Sequence, residues 1–269
     1  MVGVVSGMLG IGGGLVMVPF LYLLMEGPSW SGLSVPLAHQ AALAHATSLV
    51  VIVPTALSGL WAFRREGVVT WSLVLPLGAA AALAALLGAR VAVGLPSPIL
   101  KVVFGAFLLV MGTRVLRRKG PEPLVVSGGR RMRWWVVLIG GGMVGFLSAL
   151  LGVGGGIVAI PILIHWGRLD LHRVVPASIG VIVFAAPAGV LGYILAGSGV
   201  EGLPPGAIGF VHLPAALAMI PGAVLLAPVG ARWNQRMGAA TLRSVLAVLF
   251  LLMGAQIIWE NGRQLVAGL

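Results

Sequence analysis

Long apolar runs, separated by short polar or proline-containing breaks, fill the chain. Eight can be marked, at about 1–25, 36–63, 69–95, 98–116, 134–166, 174–198, 207–230 and 239–259. Each is long enough for a helix to cross roughly 30 Å of hydrocarbon. The breaks fall at Pro28, at Pro96-Ser97-Pro98, in the loop Arg117–Arg133, and at Gly202-Leu203-Pro204-Pro205-Gly206. Trp30, Trp61, Trp71, Trp134, Trp135, Trp166, Trp233 and Trp259 lie at or near run ends, where interfacial aromatics gather. The runs are continuous rather than alternating, which disfavours a β-barrel. The pattern predicts an all-α integral membrane protein.

Composition agrees. Of 269 residues only 9% are charged and 59% are hydrophobic, and the mean hydropathy is +1.09. A soluble fold of this size could not cover its surface with so few charges. The 41 glycines suit close helix packing in lipid. With no cysteine, disulfides and thiolate chemistry are excluded. The net charge of +11 lies mostly in short loops with no interleaved aromatics, so no nucleic-acid partner is expected. A secretory signal is not expected either, because the N-terminus has no charged leader and the apolar character never gives way to a polar mature chain.

Eight runs divide into two sets of four. Gly10-Ile-Gly-Gly-Gly-Leu-Val-Met-Val-Pro19 matches Gly152-Val-Gly-Gly-Gly-Ile-Val-Ala-Ile-Pro161 at six of ten positions, offset by 142. The same offset pairs Gly88-Ala89-Arg90 with Gly230-Ala231-Arg232, Leu100-Lys101 with Leu242-Arg243, and Met111-Gly112 with Met253-Gly254. Between these, Ser48-Leu49 and Gly59 match Ser178-Ile179 and Gly189 at offset 130. Twelve residues are therefore extra between the first two runs, balanced by twelve between the sixth and seventh. The expected organisation is a first membrane repeat at 1–116, a basic cytoplasmic linker at 117–133, and a second membrane repeat at 134–269.

Charge suggests how the halves are related. If all eight runs cross, ten basic residues face the cytoplasm and seven face away. If the first and fifth runs dip in and return, fourteen face in and only Arg90, Lys101 and Arg263 face out. The second arrangement obeys the positive-inside rule better. It predicts three crossings and a glycine-broken or re-entrant first helix per half, the halves forming an inverted repeat. A hinged but fully crossing first helix is the competitor.

Gly12-Gly13-Gly14 and Gly154-Gly155-Gly156 are the sharpest chemical signal. Glycine inside a helix costs about 1 kcal/mol relative to alanine, so three in mid-run mark a break. Opened backbone is tolerated in a bilayer only where protein buries it or it lines a polar cavity. The half-helices from Leu15 and Ile157 would then direct free N–H groups at the protein centre, making an anion site without a buried cation. The bland alternative is close packing, which duplication in matching places makes less attractive.

These motifs, each followed five residues on by Pro19 or Pro161, resemble the TauE/SafE sulfite exporter family. Ala46-Thr47-Ser48-Leu49 and the Gly88-Ala89-Arg90 and Gly230-Ala231-Arg232 segments are similar too. The likeness covers nearly the whole chain. It implies a secondary transporter of a small sulfur-containing or carboxylate anion such as sulfite or sulfoacetate. Only nine residues precede Gly10, against about eighteen apolar residues before Gly152, so the expectation is either a short first half-helix or a start of the sequence that is late.

Thr47, Ser48 and Ser178 occupy matching places; their hydroxyls can donate to an oxyanion or bond back to a helix carbonyl. Gln40 and His45 are polar residues on the same approach, read as ligand or proton contacts or as interfacial side chains. Arg90, Arg232, Lys101 and Arg243 sit near run ends, where snorkelling is the default. Gly78–Ala85 is most simply helix packing, and Gly140 sits in an ordinary helical stretch. The six acidic residues lie in loops or at run ends, and neither a His-Glu-x-x-His motif nor a phosphate loop is present. No enzyme, metal or cofactor is expected. The expected partners are the bilayer and a small anion, with a homodimer left open. A passive anion channel and a non-transporting membrane subunit are the alternatives to a transporter.

Overall fold

The computed structural model describes residues 14–26, 35–65, 67, 69–117, 133–166, 171–236 and 239–267. Among these it is mostly helical: α1 Gly14–Glu26, α2 Gln40–Arg65, α3 Trp71–Gly94, α4 Ser97–Arg117, α5 Trp134–Leu151, α6 Gly156–His165, α7 Leu171–Ala196, α8 Leu213–Arg236 and α9 Ala239–Ala267. Five of these helices are long and apolar enough to cross a membrane: α2 (Gln40–Trp61), α3, α4 (Ser97–Arg114), α5 and α7 (Arg173–Ala196). Large apolar side chains such as Leu83, Leu87, Leu138 and Leu195 point outward, as a lipid-facing surface requires. Trp134 is exposed at the start of α5 and Trp61 about one turn before the end of α2, near the run ends that the sequence marks. Trp259, by contrast, is exposed two turns inside α9, which runs on to Ala267.

The helices approach closely through small residues. On α3, Leu77, Ala81, Ala85, Gly88 and Ala89 form a buried stripe. The backbone of Ala81 lies against Gly145 of α5, and that of Phe146 against Gly88. Contacts that close allow helix backbones to pack where lipid gives no hydrophobic drive for association. The contact order along each pair gives its direction. Val74 packs on Gly180 and Ala89 on Gly192, so α3 and α7 run parallel. Leu49 meets Gly189 and Gly59 meets Ile179, so α2 and α7 are antiparallel. Gly105 meets Ile258 and Gly112 meets Leu251, so α4 and α9 are antiparallel as well.

The run expected at 134–166 is broken where its glycines predict. Helix α5 ends at Leu151 and is capped by Gly152 in the left-handed region (φ 65°). Gly154 and Gly155 follow at φ 80° and 78°, and α6 starts at Gly156. Gly155 stands against Ser148 and Val144, while Ile162 and Trp166 stand against Gly140. Helix α6 therefore folds back along α5, and the run returns towards the end it came from. Gly140 is consequently not in an ordinary stretch: a Cβ there would stand 2.9 Å from Ile162.

The run expected from 207 begins later. Residues Ala207–Ile208 and Val211–His212 form a two-stranded antiparallel hairpin, β1 and β2, turned by Gly209 at φ 54°. Strands this short leave no alternating pattern to read in the sequence. The hairpin lies in the segment that carries the twelve extra residues of the second half.

Candidate functional site

The break between α5 and α6 is held from one side. Tyr193 of α7 donates its hydroxyl to the Ala149 carbonyl at 2.9 Å. His45 of α2 bonds the Leu150 carbonyl through Nδ1 at 2.8 Å. Ser48, one turn further on, donates to the Gly152 carbonyl at 2.9 Å. The Ser148 carbonyl accepts from the Gly152 and Val153 N–H groups. These are carbonyls that a helix end leaves orphaned, and side chains of two other helices satisfy three of them.

The opposite side of the break is different. The N–H groups of Gly154, Gly155, Gly156 and Ile157 make no hydrogen bond among the described residues, although residues 152–156 are all buried. Buried N–H groups are nearly always paired. Four lie together at the positive end of a ten-residue helix, the kind of end that attracts negative charge. Ile52 and Ile182 pack against Gly154 and keep this turn closed.

The first glycine motif reaches the same place. Gly12 and Gly13 lie outside the described residues. Gly14 opens α1 and touches the break directly: a Cβ there would stand 2.7 Å from the Gly152 carbonyl oxygen and 2.9 Å from Ile52. Leu15 is buried beside it. The structure thus brings Gly14, Leu15, Ser48, His45, Gly154, Gly155, Gly156 and Ile157 into one region. Ser178 joins them more loosely, with its hydroxyl 3.4 Å from the Gly156 carbonyl. Neither serine bonds back to its own helix; each reaches a carbonyl of the broken run. Thr47 takes another role, accepting the His212 N–H from the hairpin at 3.1 Å.

Gln40 and His45 belong to a polar cluster behind the break. Lys101 of α4 is buried and donates to Gln40 Oε1 at 2.8 Å, with its ammonium 5.2 Å from the Tyr22 ring centre. The Tyr22 hydroxyl meets His45 Nε2 at 2.5 Å. A carbonyl can only accept, so Nδ1 of His45 carries the hydrogen given to Leu150 and Nε2 accepts from Tyr22. Tyr22 also lines a cleft with Gln256, Glu260 and Asn261. Lys101 does not snorkel as its place near a run start predicts, because its reach is taken up inward by Gln40. The two tyrosines are the only ones in the chain, and a buried tyrosine hydroxyl needs a partner; that signal was there to point to Tyr22 and Tyr193.

The chain matches the family described as sulfite exporter TauE/SafE over residues 1–257. It belongs to that family. It is 27% identical to a probable membrane transporter protein of Methanocaldococcus jannaschii, over 94% of this chain and 90% of the relative. It is 25% identical to the probable membrane transporter protein YunE of Bacillus subtilis, over 96% and 94%. A probable membrane transporter protein of Haemophilus influenzae is 24% identical, over 94% and 92%. No solved structure matches the chain. This TauE/SafE member is therefore a multi-pass membrane protein of a transporter family, not of an enzyme family.

Proposed function

We propose that this protein is a secondary transporter that exports a small sulfur-containing or carboxylate anion, of the size of sulfite or sulfoacetate, across the plasma membrane by alternating access. The observation that carries the reading is the one-sided break. Its carbonyls are capped by Tyr193, His45 and Ser48, while the N–H groups of Gly154–Ile157 are left for a ligand. A cation would seek the carbonyl side; an anion takes the N–H side. The family's description supports a sulfur oxyanion.

The helix directions support two inverted halves, 1–116 and 134–269, joined by a cytoplasmic linker at 117–133. Repeat partners α2 and α7, and α4 and α9, pack antiparallel on one another, as partners related by an axis in the membrane plane do. A fully crossing fifth run would instead make α2 and α7 parallel. The burial of residues 152–156 speaks against the continuous pore of a passive channel. Purified protein in proteoliposomes should show saturable sulfite flux with counterflow; resolvable single-channel currents would replace the carrier by a channel.

A further inference from the structure

We propose that Ser148 is a fifth donor of the anion site and contacts the transported anion directly through Oγ. This rests on the reading of the Gly154–Ile157 turn as that site. Ser148 is 1% exposed, and among the described residues its Oγ is the buried side-chain polar atom with no hydrogen-bond partner. Every other hydroxyl near the break is engaged: Ser48 with Gly152, Ser178 with Gly156, Tyr193 with Ala149, Thr47 with His212. A helical serine ordinarily bonds back to a carbonyl of the preceding turn, and Thr55 does so here. Ser148 does not. Its Cβ lies 3.1 Å from where a Gly155 Cβ would stand, which places the side chain at the glycine turn that precedes α6. An anion held by the four N–H groups would supply the acceptor that this hydroxyl lacks.

The duplication points the same way. At the offset of 142 that aligns the glycine motifs, Ser148 matches Ser6, and both stand four residues before the first glycine of their motif. Helix packing asks for a small residue at such a place, and alanine or glycine would serve. The hydroxyl in both copies is what packing does not need.

The test is sulfite, sulfoacetate and acetate flux in proteoliposomes, together with thermal unfolding in detergent with and without each anion, for wild type, Ser148→Ala, Ser148→Cys and Gly155→Val. Ser148→Ala should raise the half-saturating anion concentration about tenfold, the effect of losing one hydrogen bond to a charged partner. It should also shrink the stabilisation given by the anion, while the anion-free protein melts at or above the wild-type temperature. Ser148→Cys, of similar size with a weak S–H donor, should fall between. Unchanged anion affinity in Ser148→Ala, with Gly155→Val inactive, would overturn the role of Ser148 and leave the site standing. Full flux in Gly155→Val, or none of the three anions carried by wild type, would remove site and serine together.

Discussion

Gly155 has φ 78°, and a Cβ there would stand 2.9 Å from Val144 Cγ1 and 3.1 Å from Ser148 Cβ. A β-branched side chain meets an unfavourable left-handed backbone, worth about 1–2 kcal/mol, and space already filled. Gly155→Val is expected to insert and express but to lose transport, measured as sulfite flux normalised to protein. The matched control is Gly142→Val on α5, where an added Cβ meets nothing within 4 Å; it should retain flux, whereas Gly140→Val would disturb the α5–α6 contact. Ser48→Ala leaves the Gly152 carbonyl without its donor and should cost about 1 kcal/mol, a melting shift of about 2–4 °C for a chain of this size. The glycine break is legible because three consecutive glycines have no other economical use inside an apolar helix. Ser148 and Lys101 are not legible in the same way. A serine in an apolar helix looks like a packing residue until its neighbours are known, and the inward turn of Lys101 depends on Gln40, 61 positions away.

From α2 on, the helices begin within a few residues of the apolar runs, except where the backbone rather than the side chains decides. Helices α8 and α9 continue six and eight residues past the run ends, to Arg236 and Ala267. Helix α8 starts at Leu213 because His212 caps it, its Nδ1 accepting the Ala215 N–H at 3.2 Å as an N-cap side chain does. The hairpin puts that histidine in place through the pairing of Ala207 with His212, and apolar periodicity carries no trace of either. Burial pushes the His212 imidazole below its ordinary value, against the opposite pull of the Pro205 carbonyl. A depressed folded value makes the stabilising contribution full above the unfolded value of about 6.5. It is lost as pH falls through the folded value. The wild-type melting temperature should therefore drop from pH 7 towards pH 5. His212→Asn, which caps without titrating, should show a smaller drop; equal slopes would mean that His212 does not govern α8.

At the scale of the whole molecule, the proposed inverted arrangement draws on helix direction and on loop charge. Packing makes α3 and α7 parallel and α2 and α7 antiparallel, and the fourteen-to-three partition of basic residues calls for the same directions if the fifth run returns. The arrangement predicts that the loop 117–133 is cytoplasmic and the C-terminus lies outside. A C-terminal reporter active only in the cytoplasm should stay silent, and activity there would sink the inverted arrangement. The proposed direction, export, is the one that charge favours. With the cell interior negative, each unit of negative charge that leaves gains about 2.3 kcal/mol per 100 mV, so export runs without a coupled ion. Uptake would have to bring in a proton or sodium ion. The imidazole at the break is that of His45, and both its ring nitrogens are engaged, with Tyr22 and with the Leu150 carbonyl. In that position it holds the break in place. His45→Gln should accordingly slow flux in both directions and lower stability, while the response of flux to an imposed pH gradient stays that of wild type. Sulfite accumulation driven by a pH gradient in wild-type vesicles, and abolished in a folded His45→Gln protein, would make this an importer with His45 as its proton carrier.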